Sequence, residues 1–316
     1  MTTSAIAVGI LGTGRMGSAM AVAVTNAGLP LHLYNRSPGP AEALAERLGA
    51  TAWPTPAALA AHVDIAISMV ADGRAVEALH AGPDGIPAGI RQGSVVVDMS
   101  TVLPATIRSV APAIRDRGAG ILDSPVSGST ALAEQGKLTL MVGGSSADIE
   151  RARPALEAIG SRIFHLGPLG TGAAMKLAVN TVVFALNNGL AEGLVLAERA
   201  GIDRERAYEV LASSAIAAPY VSYKSAHFVE PDATPVAFSL ELEEKDLSLI
   251  AALADEVGAA IPQATVNLAV ARAAAASQGA DRDMATIAGH LRGLASGSPA
   301  EGPQAAAVAR AGPRSD

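Results

Sequence analysis

The chain contains no cysteine. That absence excludes disulfides, thiolate metal sites and a cysteine nucleophile, and it suits a cytoplasmic protein. Aromatic side chains are scarce at 3% of residues, which leaves little surface on which bases could stack. A net charge of −7 offers no electrostatic footprint for nucleic acid. His32, His62, His80, His165, His227 and His290 show no metal-ligand spacing, so no metal is expected. The longest apolar run, Leu177 to Leu196, carries Asn180, Asn187, Asn188 and Glu192, groups too costly to place casually in hydrocarbon. It reads as a buried helix of a soluble protein rather than a membrane span. No basic region precedes the apolar part of MTTSAIAVGILG, so a signal peptide is not expected. Lysine is the last scarcity. Of 23 basic residues only Lys137, Lys176, Lys224 and Lys245 are lysine. Lysine can titrate in a protein and arginine cannot, so the placement of Lys176 directly after the glycine-rich turn in GTGAAMKLAVN needs a reason. A surface lysine whose stem lies along the core is the simple one. A proton-transfer group is the other.

What is present points to two domains, for which 316 residues suffice. Short β-rich runs, Ala5 to Leu11, Leu31 to Tyr34, Asp64 to Met69, Ser94 to Asp98 and Gly120 to Asp123, alternate with helical stretches such as Arg15 to Ala27, Ala41 to Leu48 and Pro104 to Arg117. Leu138 to Val142 and Ile163 to Leu166 flank a further helix, Ala147 to Ile159. This alternation predicts crossover units on a doubly wound, mostly parallel sheet, an α/β Rossmann domain over 1–167. After HLGPLGTG no convincing strand recurs, and Ala173 to Ala200 predicts one helix of roughly 40 Å at 1.5 Å per residue. It opens an all-helical domain over 168–295, with four or five shorter helices, one running from Pro262 to a cap near Gly279. Residues 296–316, rich in Gly, Pro, Ala and Ser, read as a disordered tail.

The strongest local signal is GILGTGRMG. Gly12, Gly14 and Gly17, with Arg15 and Met16 between them, form GxGxxG after the first strand and at the start of a helix. In that context the glycines allow a tight turn, close approach of a pyrophosphate and packing of the helix on the sheet. The second strand ends in Asn35, Arg36 and Ser37 with no carboxylate for ribose hydroxyls; a cation with neutral donors suits a ribose phosphate and favours NADP. VVVDMST, ending at Thr101, and LDSPVSGS, containing Ser127 and Gly128, lie at strand C-termini, where open α/β sheets bind ligands. Lys176 and Asn180, at i and i+4, share a helix face. Gly170 and Gly172 allow the preceding turn to approach a ligand. PVAFSLELEEKDLSL, with Phe238, Lys245 and Asp246, reads by itself as an amphipathic helix with a charged face.

In order, GILGTGRMG, VDMST, DSPVSGS, GTGAAMKLAVN and EEKDLSL resemble the β-hydroxyacid dehydrogenase family, over about residues 5 to 293. Its members include 3-hydroxyisobutyrate dehydrogenases, tartronate semialdehyde reductases and glyoxylate/succinic semialdehyde reductases. The resemblance implies hydride exchange between NADP(H) and a small carboxylate-bearing substrate, a hydroxy acid or the matching carbonyl acid. It implies Lys176 as the catalytic lysine, Asn180 as its substrate-binding neighbour, and Ser127 with Gly128 as the substrate-carboxylate loop. Thr101 and Lys245 resemble cofactor contacts, as do Val70 and Ala71 in SMVADG, where many members carry proline at the Ala71 position. Phe238 and Asp246 match positions near substrate in the glyoxylate reductase branch, and Gly128-Ser129 also follows that branch. The family's long helix commonly packs in a homodimer. An imine reductase of the same architecture and a non-catalytic NADP(H) sensor stand as alternatives; imine reductases usually replace the lysine by Asp or Tyr.

Overall fold

The computed structural model describes residues 6–294, so the tail expected over 296–316 lies outside the described residues. Nine strands form one sheet: β1 (Val8–Leu11), β2 (Leu31–Tyr34), β3 (Thr51–Ala52), β4 (Ile65–Ser68), β5 (Val95–Asp98), β6 (Gly120–Asp123), β7 (Val126–Ser127), β8 (Leu138–Gly143) and β9 (Gly160–Gly167). The spatial order is β3-β2-β1-β4-β5-β6-β8-β7, with β9 on β8. The strands from β3 to β6 pair in parallel, β8 runs antiparallel to β6 and β7, and β9 is parallel to β8. This is a doubly wound Rossmann sheet with an antiparallel extension. β1, β4, β5 and β6 are buried along their whole length, which is why they read as near-continuous apolar runs. β3 and β7 were not expected from the sequence; with two residues each, neither is long enough to show a period.

Helices cover both faces: α1 (Arg15–Asn26), α2 (Pro38–Leu48), α3 (Pro56–Ala60), α4 (Gly73–His80), α5 (Ile86–Gly89), α6 (Pro104–Arg115), α7 (Thr130–Glu134) and α8 (Ser146–Ile159). Alternate strand residues face alternate layers, as the pleat requires. Ile10, Ile65 and Val97 pack with Met20, Ala41 and Ile149 of α1, α2 and α8. Leu11, Ala66 and Val96 pack with Leu59, Val76, Ile86 and Ile107 of α3 to α6. Local chemistry starts the helices: Thr55 and Asp72 accept N–H groups at the starts of α3 and α4, and proline opens α2, α3 and α6.

The long helix α9 (Thr171–Arg199, 29 residues) matches the expected element and is followed by α10 (Arg204–Ser213), α11 (Pro219–Val229), α12 (Leu240–Val257), α13 (Pro262–Gln278) and α14 (Ile287–Leu294). The chain divides into two compact units, one up to Thr181 with Leu249–Ala259, the other Val182–Ser248 with the residues from Ala260 onward. The division falls inside α9, because the first turns of that helix belong with the sheet. By length and composition α9 could cross a membrane, but two of its polar residues, Asn187 and Asn188, have partners within the second unit. Asn187 accepts the Tyr220 hydroxyl at 2.7 Å and donates to the Met284 carbonyl at 3.1 Å, and Asn188 donates to Phe184.

The second unit encloses a charged cluster. Lys224 and Asp283, both buried, pair at 2.6 Å. Burial pushes the Asp283 carboxyl up, but the Lys224 ammonium and the N–H groups of Ala285 and Phe238 outweigh it and hold it below the usual range. Glu243 is wholly buried, and neither carboxyl oxygen has a hydrogen-bond partner among the described residues. Burial first, then Asp283 and Asp246, pushes it up to about 8 against the pull of Lys224. An acid whose folded pKa lies above its unfolded one binds the extra proton in the folded state. Stability is then greatest below the unfolded value and falls as pH rises towards 8. Glu243→Gln should melt close to the wild type at pH 5 and above it at pH 8. Thermal unfolding at the two pH values checks this, and equal shifts at both would contradict it.

Candidate active site

The parallel strands end together, and the crevice beside β1, between β2 and β4, is the point where strand order reverses. A cleft of about 670 Å³ opens there, lined by Gly12, Gly14, Asn35, Arg36, Ser37, Val70 and Ala71 among others. These residues come from three separate strand ends, and the sequence reading had named all seven.

The glycines divide the work in a way that fits a dinucleotide. Gly12 has φ +105°, and a Cβ there would collide with the Met69 carbonyl. A Cβ on Gly17 would collide with the Gly12 carbonyl. A Cβ on Gly14 meets nothing within 4 Å, and its φ of −68° suits any residue. Nothing inside the fold requires a glycine there, and the bare backbone of Gly14 lines the cleft. Gly14 is also the N-cap of α1 and offers that helix start no side-chain acceptor, and a helix N-terminus favours an anion such as a pyrophosphate. Gly14→Ala should keep the wild-type Tm and weaken dinucleotide binding by about tenfold, the order of one lost charge-assisted hydrogen bond. Gly17→Ala should lose both binding and Tm. Calorimetric titration beside thermal melts separates the two; a Gly14→Ala protein that binds as the wild type does would contradict the assignment.

Other expected residues take different places. Met16 packs against the core rather than facing the cleft, and Arg15 is exposed at the start of α1. The Asn35 carboxamide accepts the Thr13 N–H at 3.1 Å and donates to the Ser37 carbonyl, so it ties the glycine turn to the end of β2. Gly172 brings the chain close to its own sheet, since a Cβ there would collide with the Met141 carbonyl; the expectation that it admits a ligand is replaced by this packing role. Lys176 is half-buried and Asn180 buried, one turn apart on α9. Ser127 and Gly128 close β7, where Gly128 takes φ +141°, and Thr101 lies just beyond β5. Phe238, Lys245 and Asp246 belong to the second unit, where Lys245 pairs with Asp246 at 2.8 Å and the Phe238 ring lies 6.1 Å from that of Phe184.

Several residues that shape the site were not anticipated. Asp98 ends β5 and accepts Ser68 Oγ at 2.5 Å and the Ser100 N–H at 3.0 Å, while Ser100 Oγ accepts the Val70 N–H. Burial pushes Asp98 up to about 6 against the pull of these donors. The network fixes the two loops that carry Val70 and Thr101. Asp123, opposite Asp98 at the end of β6, accepts the N–H groups of Gly170 and Ala173, both at 2.7 Å. The available signal was an acid closing an otherwise apolar strand, in VVVD and in GILD. Arg74 also lines the cleft, though nothing in the sequence separates it from a surface arginine of a helix.

Known proteins share this fold. A family model described as the NAD binding domain of 6-phosphogluconate dehydrogenase matches residues 7–167, and one described as NAD-binding of NADP-dependent 3-hydroxyisobutyrate dehydrogenase matches 170–291. Glyoxylate/succinic semialdehyde reductase 2, chloroplastic, of Arabidopsis thaliana is 34% identical, covering 89% of this chain and 78% of the plant protein. The cytokine-like nuclear factor N-PAC of Homo sapiens is 32% identical over 89% of this chain and 50% of its own length. The crystal structure of 3-hydroxyisobutyrate dehydrogenase from Salmonella typhimurium superposes with a TM-score of 0.83 at 28% identity, covering 90% of this chain and 99% of that one. An imine reductase from Pseudomonas sp., 20% identical with a TM-score of 0.63 over 91% of this chain and 100% of its own, shares the fold alone. The chain belongs to the β-hydroxyacid dehydrogenase family of nicotinamide-dependent oxidoreductases.

Proposed function

We propose that the protein is an NADP(H)-dependent reductase or dehydrogenase of a small acid bearing a carbonyl or hydroxyl group near its carboxylate. The observation that carries this reading is Lys176 with Asn180 one turn on, at the start of a helix tied by its backbone to the ligand-binding edge of the sheet. When bound, the dinucleotide donates or accepts the hydride. The protein does the rest. Ser127 and the amides around Gly128 hold the substrate carboxylate. In reduction, negative charge grows on the carbonyl oxygen; Lys176 stabilises it and delivers the proton, while Asn180 orients the oxygen or the ammonium. In oxidation, neutral Lys176 takes the proton from the hydroxyl. Arginine would keep the charge but could not exchange the proton. Phe238, Lys245 and Asp246 enter this reading through the family resemblance alone.

Preference for the phosphorylated dinucleotide rests on charge. Arg36 and Arg74 line the same cleft, both exposed, and neither forms an ion pair among the described residues. Asp72, the one carboxylate in that lining, accepts the Ala75 N–H at the start of α4. Two guanidinium groups lining the cleft that also holds Ser37 suit a ribose phosphate. α9 also exposes Met175, Val182 and Leu196, an apolar stripe that a second copy of the chain would cover. A homodimer is therefore the proposed assembly, with the cytoplasm as its proposed location.

Initial rates with NADPH and NADH against glyoxylate, succinic semialdehyde, tartronate semialdehyde, methylmalonate semialdehyde and a cyclic imine test the reading. Turnover of a carbonyl acid with NADPH is expected. Turnover of the imine alone would move the protein to the imine reductases, and dinucleotide binding without any turnover would favour a sensor.

A further inference from the structure

Asp123 is 1% exposed, yet no cation pairs with it among the described residues. Its carboxylate instead receives backbone. Oδ1 accepts the Gly170 N–H and Oδ2 the Ala173 N–H, both at 2.7 Å. These are N-cap and first-turn groups of α9, donors that an isolated helix leaves unsatisfied. The sheet thus supplies the cap for a helix whose preceding residue, Gly170, lies 47 residues further along the chain. Negative charge at that helix end is also favourable to the helix dipole. The surroundings hold the arrangement tightly. A Cβ on Gly172 would collide with the Met141 carbonyl, and one on Gly143 would collide with Asp123 itself. The start of α9 therefore has one position and one register relative to the ends of β6 and β8.

Two chemical elements hang from this anchor. Lys176 lies three residues beyond Ala173 on the same helix, with Asn180 one turn further. In the other direction, Ser124, Pro125 and Val126, all buried, lead from Asp123 to Ser127. We infer that Asp123 is a positioning residue of the reaction: it fixes the proton-transfer lysine of α9 against the sheet end from which the substrate-carboxylate loop leaves, and acts on the lysine alone. The inference rests on the proposed role of Lys176.

A purely structural capping residue would lower stability without favouring one kinetic constant. A positioning residue acts on kcat through Lys176 and leaves dinucleotide binding alone, because the glycine turn makes no use of α9. Asp123→Asn is isosteric and exchanges one acceptor oxygen for a donor facing a backbone N–H. It is made in the wild type and in Lys176→Ala, with kcat, the KM for the carbonyl acid, the Kd for NADPH and Tm measured for each protein. The expected result is a kcat loss of about 10²-fold, the order of a small misplacement of a catalytic group, with KM and Kd near wild type. In the Lys176→Ala background the same substitution should leave the residual rate unchanged, since no lysine is left to misplace. Equal losses in both backgrounds, or an Asp123→Asn enzyme with wild-type kcat, would overturn the inference while the role of Lys176 stood. A Lys176→Ala enzyme with wild-type kcat would remove that role and the inference with it. Should Asp123→Asn not fold, Asp123→Ser supplies a hydroxyl acceptor in its place. Failure of both to fold would assign Asp123 to stability alone and overturn the positioning role.

Discussion

Lys176→Ala should lower kcat for the preferred carbonyl acid by about 10²- to 10⁴-fold, the range that a positioned general acid or base contributes. Alanine has the best helix propensity of any residue, so α9 should form as before and the Tm should hold. The Kd for NADPH should also hold, because the glycine turn and its cleft lie on β1, β2 and β4 rather than on α9. Lys176→Arg gives the sharper comparison. It preserves positive charge beside the developing oxyanion but cannot release a proton near neutral pH. Oxidation of the hydroxy acid by Lys176→Arg should therefore be as poor as by Lys176→Ala, while binding of the acid is retained. An arginine variant that oxidises its substrate at the wild-type rate would reduce Lys176 to an electrostatic role.

Removing Arg36 and Arg74 should reverse the choice of dinucleotide. Each guanidinium that reaches the ribose phosphate makes a charge-assisted hydrogen bond worth about 1.5–3 kcal/mol. At 1.4 kcal/mol per decade, each substitution by alanine should cost about 10- to 10²-fold in kcat/KM with NADPH. With NADH, which lacks that phosphate, the cost should be small or absent. Both side chains are exposed at the cleft and pair with no acid among the described residues, so their loss leaves no buried partner behind. Arg36→Ala, Arg74→Ala and the double variant, assayed with both dinucleotides, distinguish the contributions. A fall of equal size with NADPH and NADH would show that the arginines serve the fold or the shared part of the cofactor, and the preference for NADP would fail.

How far the sequence carried depended on what each residue interacts with. β1, β4, β5 and β6 were legible because parallel strands buried on both faces read as near-continuous apolar runs, and glycine or polar residues bound them closely. α9 was legible because no proline or glycine pair interrupts it, and Asn187, one of the polar residues that argued against a membrane span, proved to have partners in Tyr220 and Met284. The glycine turn carried its own context of strand, turn and helix. Long-range capping is a different matter. That Asp123 would satisfy Gly170 and Ala173 depends on how a distant helix start meets the end of β6, and no local spacing encodes that meeting. Gly172 was assigned to a ligand for the same reason: sequence shows that a glycine permits close approach but not what approaches. Arg74 was hidden because it lies on α4 among ordinary surface residues, and only the fold brings it to the cleft that holds Arg36.

The most direct measurement is the steady-state consumption of NADPH by Lys176→Ala on the best carbonyl acid, with and without added methylamine, beside the wild type. The account predicts steady turnover by the wild type, its loss in the variant with NADPH still bound, and partial recovery when the small amine supplies the missing proton donor. Wild-type turnover by the variant, without any amine, would contradict it.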